Sequence, residues 1–139
     1  MIKRKSEEYY TNQHSKFLLQ YHLIFVTKYR HPVIHGKLKD RLIQYTKDYF
    51  KDRDLNILEI NTGEDHIHIL FECYPNLNLA TFVNAFKSAS SRHMRAKFEK
   101  ELQPFYWKPY FWSKSYFICT VSEKNLQYVK QYIADQGIR

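Results

Sequence analysis

The chain has 139 residues, with 22 Lys and Arg against 14 Asp and Glu, for a formal net charge of +8 and a pI near 9.4. That length suits one domain, 1–139, with a single core, and the charge points to a polyanionic partner. Three glycines cannot build a phosphate-cradling loop, which excludes P-loop and dinucleotide-binding classes and a nucleotide cofactor; no apolar run approaches the roughly 20 residues of a membrane span, so no membrane partner is expected.

Residues 1–15 are polar and charged and read as a flexible basic arm. From Phe17 to Val26 both alternating faces are apolar, which predicts a strand covered on both sides in the middle of a sheet. Leu38, Leu42, Tyr45 and Tyr49 recur at helical spacing, predicting an amphipathic helix that ends near Asp54. Leu55–Ile60 and Ile67–Cys73 read as strands joined by a hairpin at Thr62-Gly63-Glu64-Asp65. Leu79–Leu102 reads as a second helix between Asn78 and Pro104, Phe105–Trp112 as an aromatic loop, and Tyr116–Val121 as another strand. A last helix, 122–137, takes Ser122 as N-cap and has Gly137 at its end. The order β-α-β-β-α-β-α begins as the split βαβ, ferredoxin-like arrangement. The expected fold is therefore α+β, an antiparallel sheet with helices on one face plus an extra C-terminal helix. Cys73 and Cys119 have no metal-type spacing and suit a reducing, cytoplasmic setting.

Within Asp65-His66-Ile67-His68, strand alternation points His66 and His68 to one side and Ile67, Ile69 and Phe71 to the core. Two imidazoles can grip an ion, although seven histidines will sometimes fall two apart by chance. A closed structural zinc site needs four ligands, so a metal here would keep open positions and take a third ligand elsewhere. On the last helix Tyr128, Tyr132 and Gln136 form one row beside an apolar stripe of Leu126, Val129 and Ile133. The Gln136 amide oxygen suits Mg²⁺ or Mn²⁺, and a tyrosine one turn away suits attack on a polarised phosphate. The competing reading of such a tyrosine is packing. On the second helix Lys87, Ser88, Ser91, Arg92 and Arg95 fall within an arc of about 140°, with Leu79, Phe82, Phe86, Ala89, His93 and Ala96 opposite. That polar arc holds no acidic residue between Lys87 and Arg95 and reads as a phosphate-contact surface. The aromatics from Tyr106 to Trp112 read as core and dimer packing before base stacking, and His22 and His93 as structural.

These residues carry a resemblance. Tyr21-His22-Leu23-Ile24-Phe25-Val26-Thr27-Lys28-Tyr29-Arg30, Asp65-His66-Ile67-His68, Ser91-Arg92 with Arg95, Trp112 with Tyr116-Phe117, and Val129 to Gln136 occur in the order of one family's motifs. The chain resembles the HUH-type single-tyrosine transposases of small insertion sequences, the peel-and-paste transposase A group. The resemblance implies Tyr132 as nucleophile, with an apolar residue usual at position 128. It implies His66, His68 and Gln136 as ligands of Mg²⁺ or Mn²⁺, and Lys28, Arg30, Lys87, Arg92 and Arg95 as candidates for the DNA surface. The implied substrate is single-stranded DNA with hairpin ends, cleaved through a 5′-phosphotyrosine and rejoined without ATP. The implied assembly is a homodimer in which the C-terminal helix is a candidate for exchange. Two other readings compete: a domesticated palindrome-processing relative or small nickase, and a non-catalytic ferredoxin-like module binding single-stranded DNA or RNA. The last predicts stacking aromatics on the sheet face and no role for the histidine pair.

Overall fold

Alternation of side chains along the long strands decides what each face of the sheet does. The computed structural model describes residues 3–4, 9–11 and 15–135, so Gln136 and Gly137 lie outside the described residues. In chain order the elements are β1 (Lys3–Arg4), β2 (Tyr10–Thr11), β3 (Lys16–Phe17), β4 (Leu19–Thr27), α1 (Gly36–Lys51), β5 (Asn56–Thr62), β6 (His66–Cys73), α2 (Leu79–Lys97), α3 (Glu99–Leu102), β7 (Trp112–Thr120) and α4 (Glu123–Asp135). The main sheet runs β5-β6-β4-β7 with every neighbouring pair antiparallel. The first long strand thus sits between the third and fourth, the order of the split βαβ fold expected from the sequence.

One face holds the main core. Leu23 and Phe25 of β4 and Ile67, Ile69 and Phe71 of β6 meet Leu38, Leu42 and Phe50 of α1 and Phe82, Val83, Phe86 and Met94 of α2. Phe50 presents edge-on to Phe71, Phe82 and Phe86 at centroid distances of 5.2, 5.0 and 5.5 Å, within the favoured range for such pairs. α4 lies on the opposite face, where Ile24, Val26 and Val129 are buried together and Phe117, Cys119, Tyr132 and Ile133 pack around them. Ser122 caps α4 as expected, its Oγ accepting from the Asn125 amide at 3.1 Å. Val129 is the one buried residue of this helix, and burying one such side chain contributes only about 1.5–3 kcal/mol. The apolar anchor of α4 is therefore small.

Three expectations need correction. The described part of the N-terminal arm is not a free tail: β1, β2 and β3 form a small antiparallel sheet, and Tyr10 stacks on Phe17 at 5.7 Å. The Tyr10 hydroxyl donates to buried Glu72 at 2.7 Å, fastening the arm to the far end of β6. The second helix also breaks early. Phe98, with φ −122° and ψ 39°, leaves helical geometry as its ring turns into the core, separating α2 from α3. Finally, the buried stripe of α2 runs Phe82, Val83, Phe86, Ser90, Met94, and Ala96 is exposed. The largest side chains, not the alanines, set which stripe faces the sheet.

Candidate active site

β6 lies between β5 and β4, pairing His66 with Val26 and His68 with Ile24. Both histidines consequently share the α4 face with Ile24 and Val26, while Ile67 and Ile69 fill the main core. The His66 Nδ1 lies 2.9 Å from Asp65 Oδ1, and Asp65 Oδ2 accepts from Arg30 Nε at 2.6 Å. Burial alone would raise the Asp65 pKa, but hydrogen bonds from His66 and Arg30 and their charges outweigh it and hold the carboxyl below its ordinary value. The His66 ring also rests against Gly63: a Cβ there would stand 2.4 Å from Cε1 and 2.8 Å from Nδ1. Only a residue without a side chain leaves the ring where Asp65 holds it.

His68 is held from the other side. Its Nε2 lies 2.8 Å from His22 Nδ1, and the two rings stack at 5.0 Å. Burial first, then the mutual proximity of the imidazoles, pushes the His68 pKa below its ordinary value; burial does the same to His22, against an opposing pull from Glu59. Both rings are thus biased to the neutral form in which imidazole ligates metals. Each histidine has one ring nitrogen held by a neighbour, leaving Nε2 of His66 and Nδ1 of His68 for another partner. Metal-ligating histidines are typically oriented in this way. The donor set fits a divalent ion with open positions. Among the described residues no group of three His, Cys, Asp or Glu converges as a metal cluster; the expected third ligand, Gln136, lies outside them.

Tyr132 and Tyr128 part company in the fold. Tyr132 turns toward the sheet, its ring 5.1 Å from that of Phe117, and its hydroxyl is buried without a hydrogen-bond partner among the described residues. Tyr128 is half exposed to solvent. An unpartnered buried hydroxyl is costly to keep, and here it is on the histidine face of the sheet. Arg30 joins the two halves of the site: besides Asp65, its guanidinium donates to the carbonyl of Ile133 in the last turns of α4.

The expected DNA residues divide between two places. Lys87, Arg92 and Arg95 of α2 face Pro109 and Tyr110 across two adjoining cavities of about 500 and 380 Å³ that share Arg92, Arg95, Pro109 and Tyr110. Lys28 approaches this groove, its Nζ 4.9 Å from the centre of the Tyr110 ring. Burial, then the Lys28 charge, lowers the Lys87 pKa, and Lys87 donates to the Lys114 carbonyl. Of the aromatic run, Tyr106, Phe111 and Trp112 are buried, whereas Trp107 is 77% exposed beside the groove with the Lys108 ammonium 4.6 Å from its ring centre. Arg30 belongs to the histidine site, not to this groove. The short turn Lys28–Arg30 therefore sends one cation to each face of the sheet.

Sequence reading missed His22, Asp65, Arg30 and Gly63 as parts of the site. His22 carried a signal, since it shares the strand parity of Ile24 and Val26 and so the histidine face. Arg30 acts through contacts with segments far apart in the chain, which no spacing rule reveals; Gly63 and Asp65 act on His66 within one hairpin, through ring placement that the local sequence does not specify.

A family model described as "Transposase IS200 like" matches residues 15–136. The ISDra2 transposase TnpA of Deinococcus radiodurans is 34% identical over 120 residues, covering 86% of this chain and 85% of that protein. The transposase for insertion sequence element IS200 of Salmonella typhimurium is 28% identical over 123 residues, covering 88% and 80%. A crystal structure from Deinococcus radiodurans R1 with a provisional transposase assignment aligns at a TM-score of 0.82 with 33% identity, covering 91% of this chain and 96% of that one.

Proposed function

Since the chain belongs to the IS200-like transposase family, we propose that it is a metal-dependent strand transferase acting on single-stranded DNA with hairpin ends, with Tyr132 as its nucleophile. The observation that carries this reading is the buried Tyr132 hydroxyl, without a hydrogen-bond partner among the described residues, on the same sheet face as two histidines whose rings are each oriented by a neighbour. His66 and His68, with Gln136, are the residues that would hold Mg²⁺ or Mn²⁺. When bound, the ion would supply Lewis-acid polarisation of the scissile phosphate.

The chain's own residues do the rest. The Tyr132 Oη bonds to phosphorus, the bond from phosphorus to the 3′ oxygen breaks, and the proton lost by the phenol is balanced by the one gained by the leaving 3′-OH. The products are a 5′-phosphotyrosine and a free 3′ end. Because one phosphodiester-type bond replaces another, a later 3′-OH can reverse the step with a new strand, and no ATP is consumed. Lys28, Lys87, Arg92 and Arg95 neutralise backbone phosphates on the opposite face. The Lys28–Arg30 turn is then the edge over which the strand passes from groove to active site. A homodimer with exchanged α4 fits the small apolar anchor of that helix.

The test is incubation with a hairpin-bearing single strand from the gene's flanks, with and without Mg²⁺ or Mn²⁺, resolved on denaturing gels. A covalent product with a free 3′-OH that needs the ion, and that His66→Ala and His68→Ala abolish, supports the proposal. Tight hairpin binding with no covalent product under either ion would leave a binding module in its place.

A further inference from the structure

We infer that Arg30 is a positioning residue that locks α4, and with it Tyr132, onto the histidine strand, instead of contacting DNA phosphate. This rests on the strand-transferase reading of the site above. One guanidinium spans two elements: Nε donates to Asp65 Oδ2 at 2.6 Å, and a terminal nitrogen donates to the Ile133 carbonyl. Asp65 uses its other oxygen on His66 Nδ1 at 2.9 Å, so Arg30, Asp65 and His66 form one chain of hydrogen bonds ending at a proposed metal ligand. Ile133 is one residue beyond Tyr132 on α4, so the same guanidinium that holds Asp65 grips the helix beside the proposed nucleophile.

Two further observations agree. Tyr29 and Arg30 both adopt left-handed backbone, with φ of 57° and 55°, a conformation that side chains other than glycine rarely take. Such strain persists where the surrounding structure demands it, and here it aims the Arg30 side chain at Asp65. The apolar anchor of α4 is also slight, with Val129 its one buried residue, so a polar tether has a large share in fixing the helix. Lysine cannot replace arginine in this position on equal terms, because a single compact ammonium does not fork between a carboxylate and a carbonyl.

The test compares wild type with Arg30→Ala and Arg30→Lys by three readouts. Hairpin Kd should stay within about twofold of wild type, and its salt slope should be unchanged. The single-turnover rate of adduct formation at saturating DNA should fall about 10–100-fold in Arg30→Ala, the usual cost of losing a partner that orients a metal ligand, with partial recovery in Arg30→Lys. Deuterium uptake across 123–135 should rise relative to β4 and β6 in the DNA-free protein, with or without Mn²⁺. If Arg30→Ala does not fold, Arg30→Lys alone carries all three measurements. Unchanged α4 exchange and rate, together with weaker hairpin binding and a salt slope shallower by about 0.7–0.9, would make Arg30 a phosphate ligand and overturn the inference. A wild type that forms no adduct would instead strike the strand-transferase reading, and the exchange measurement would still decide what Arg30 holds.

Discussion

At Gly63 the missing side chain is what seats His66, because any Cβ would lie 2.4 Å from the imidazole. The ring cannot retreat cheaply, since Asp65 holds its Nδ1. Gly63→Ala should therefore lower the rate of adduct formation by about tenfold or more while leaving hairpin binding intact, in line with the cost of disturbing a metal ligand's orientation. Single-turnover rates beside a binding isotherm check this; an unchanged rate would mean the ring position is not used. The same scale shows what sequence could and could not reveal. His66 and His68 were legible because strand alternation is a local rule. The Asp65–Arg30 and His22–His68 contacts were not, because each is made between segments brought together only by the folded sheet.

At the level of elements, α2 carries two jobs on different sides. Its inner side packs on the sheet and on α1, where Arg41 Nε donates to His93 Nε2 at 2.9 Å and the His93 ring stacks on Tyr45 at 4.6 Å. Burial, then the charges of Arg41 and Lys97, holds His93 below its ordinary value of 6.5. As pH falls, the unfolded chain takes up this proton before the folded one does, so the contribution is complete above about pH 6.5 and is lost below it. Thermal midpoints of wild type and His93→Gln should differ more at pH 7.5 than at pH 5; an equal gap at both would remove His93 from the pH response. The outer side of α2 makes the groove with Tyr110. Lys87→Ala or Arg95→Ala should weaken hairpin binding and flatten the slope of log Kd against log salt by about 0.7–0.9 per lost phosphate contact. A slope identical to wild type would place the DNA elsewhere. The polar arc of this helix was legible because a 3.6-residue period sorts charges; the break at Phe98 was not, because it depends on where one ring finds room in the core.

Across the whole molecule the sheet works as a partition. α1 and α2 close one face, with the basic groove between α2 and the loop through Tyr110, while the second face is shared between α4 over the histidines and the small N-terminal sheet near Glu72. The β-α-β-β-α-β order could be read because its strands and helices are long enough to show a period. The three two-residue strands show none, which is why the arm looked like a tail. Glu72 is fully buried and accepts from Tyr10, Gln20 and Asn56 at 2.7, 2.8 and 2.9 Å. Tyr10→Phe removes one of these donors to a buried carboxylate and should cost about 1–3 kcal/mol in urea unfolding; no loss would show that the arm is not part of the folded unit. Among the described residues no helix is long and apolar enough to cross a membrane.

The central claim is that Tyr132, and not the solvent-facing Tyr128, attacks the strand. Mass spectrometry of the peptide left on DNA after digestion of the adduct tests this most directly. The account predicts a nucleotide attached at Tyr132, absent when a chelator is added and absent from Tyr132→Phe. Attachment at Tyr128, or an adduct that persists in Tyr132→Phe, would contradict it.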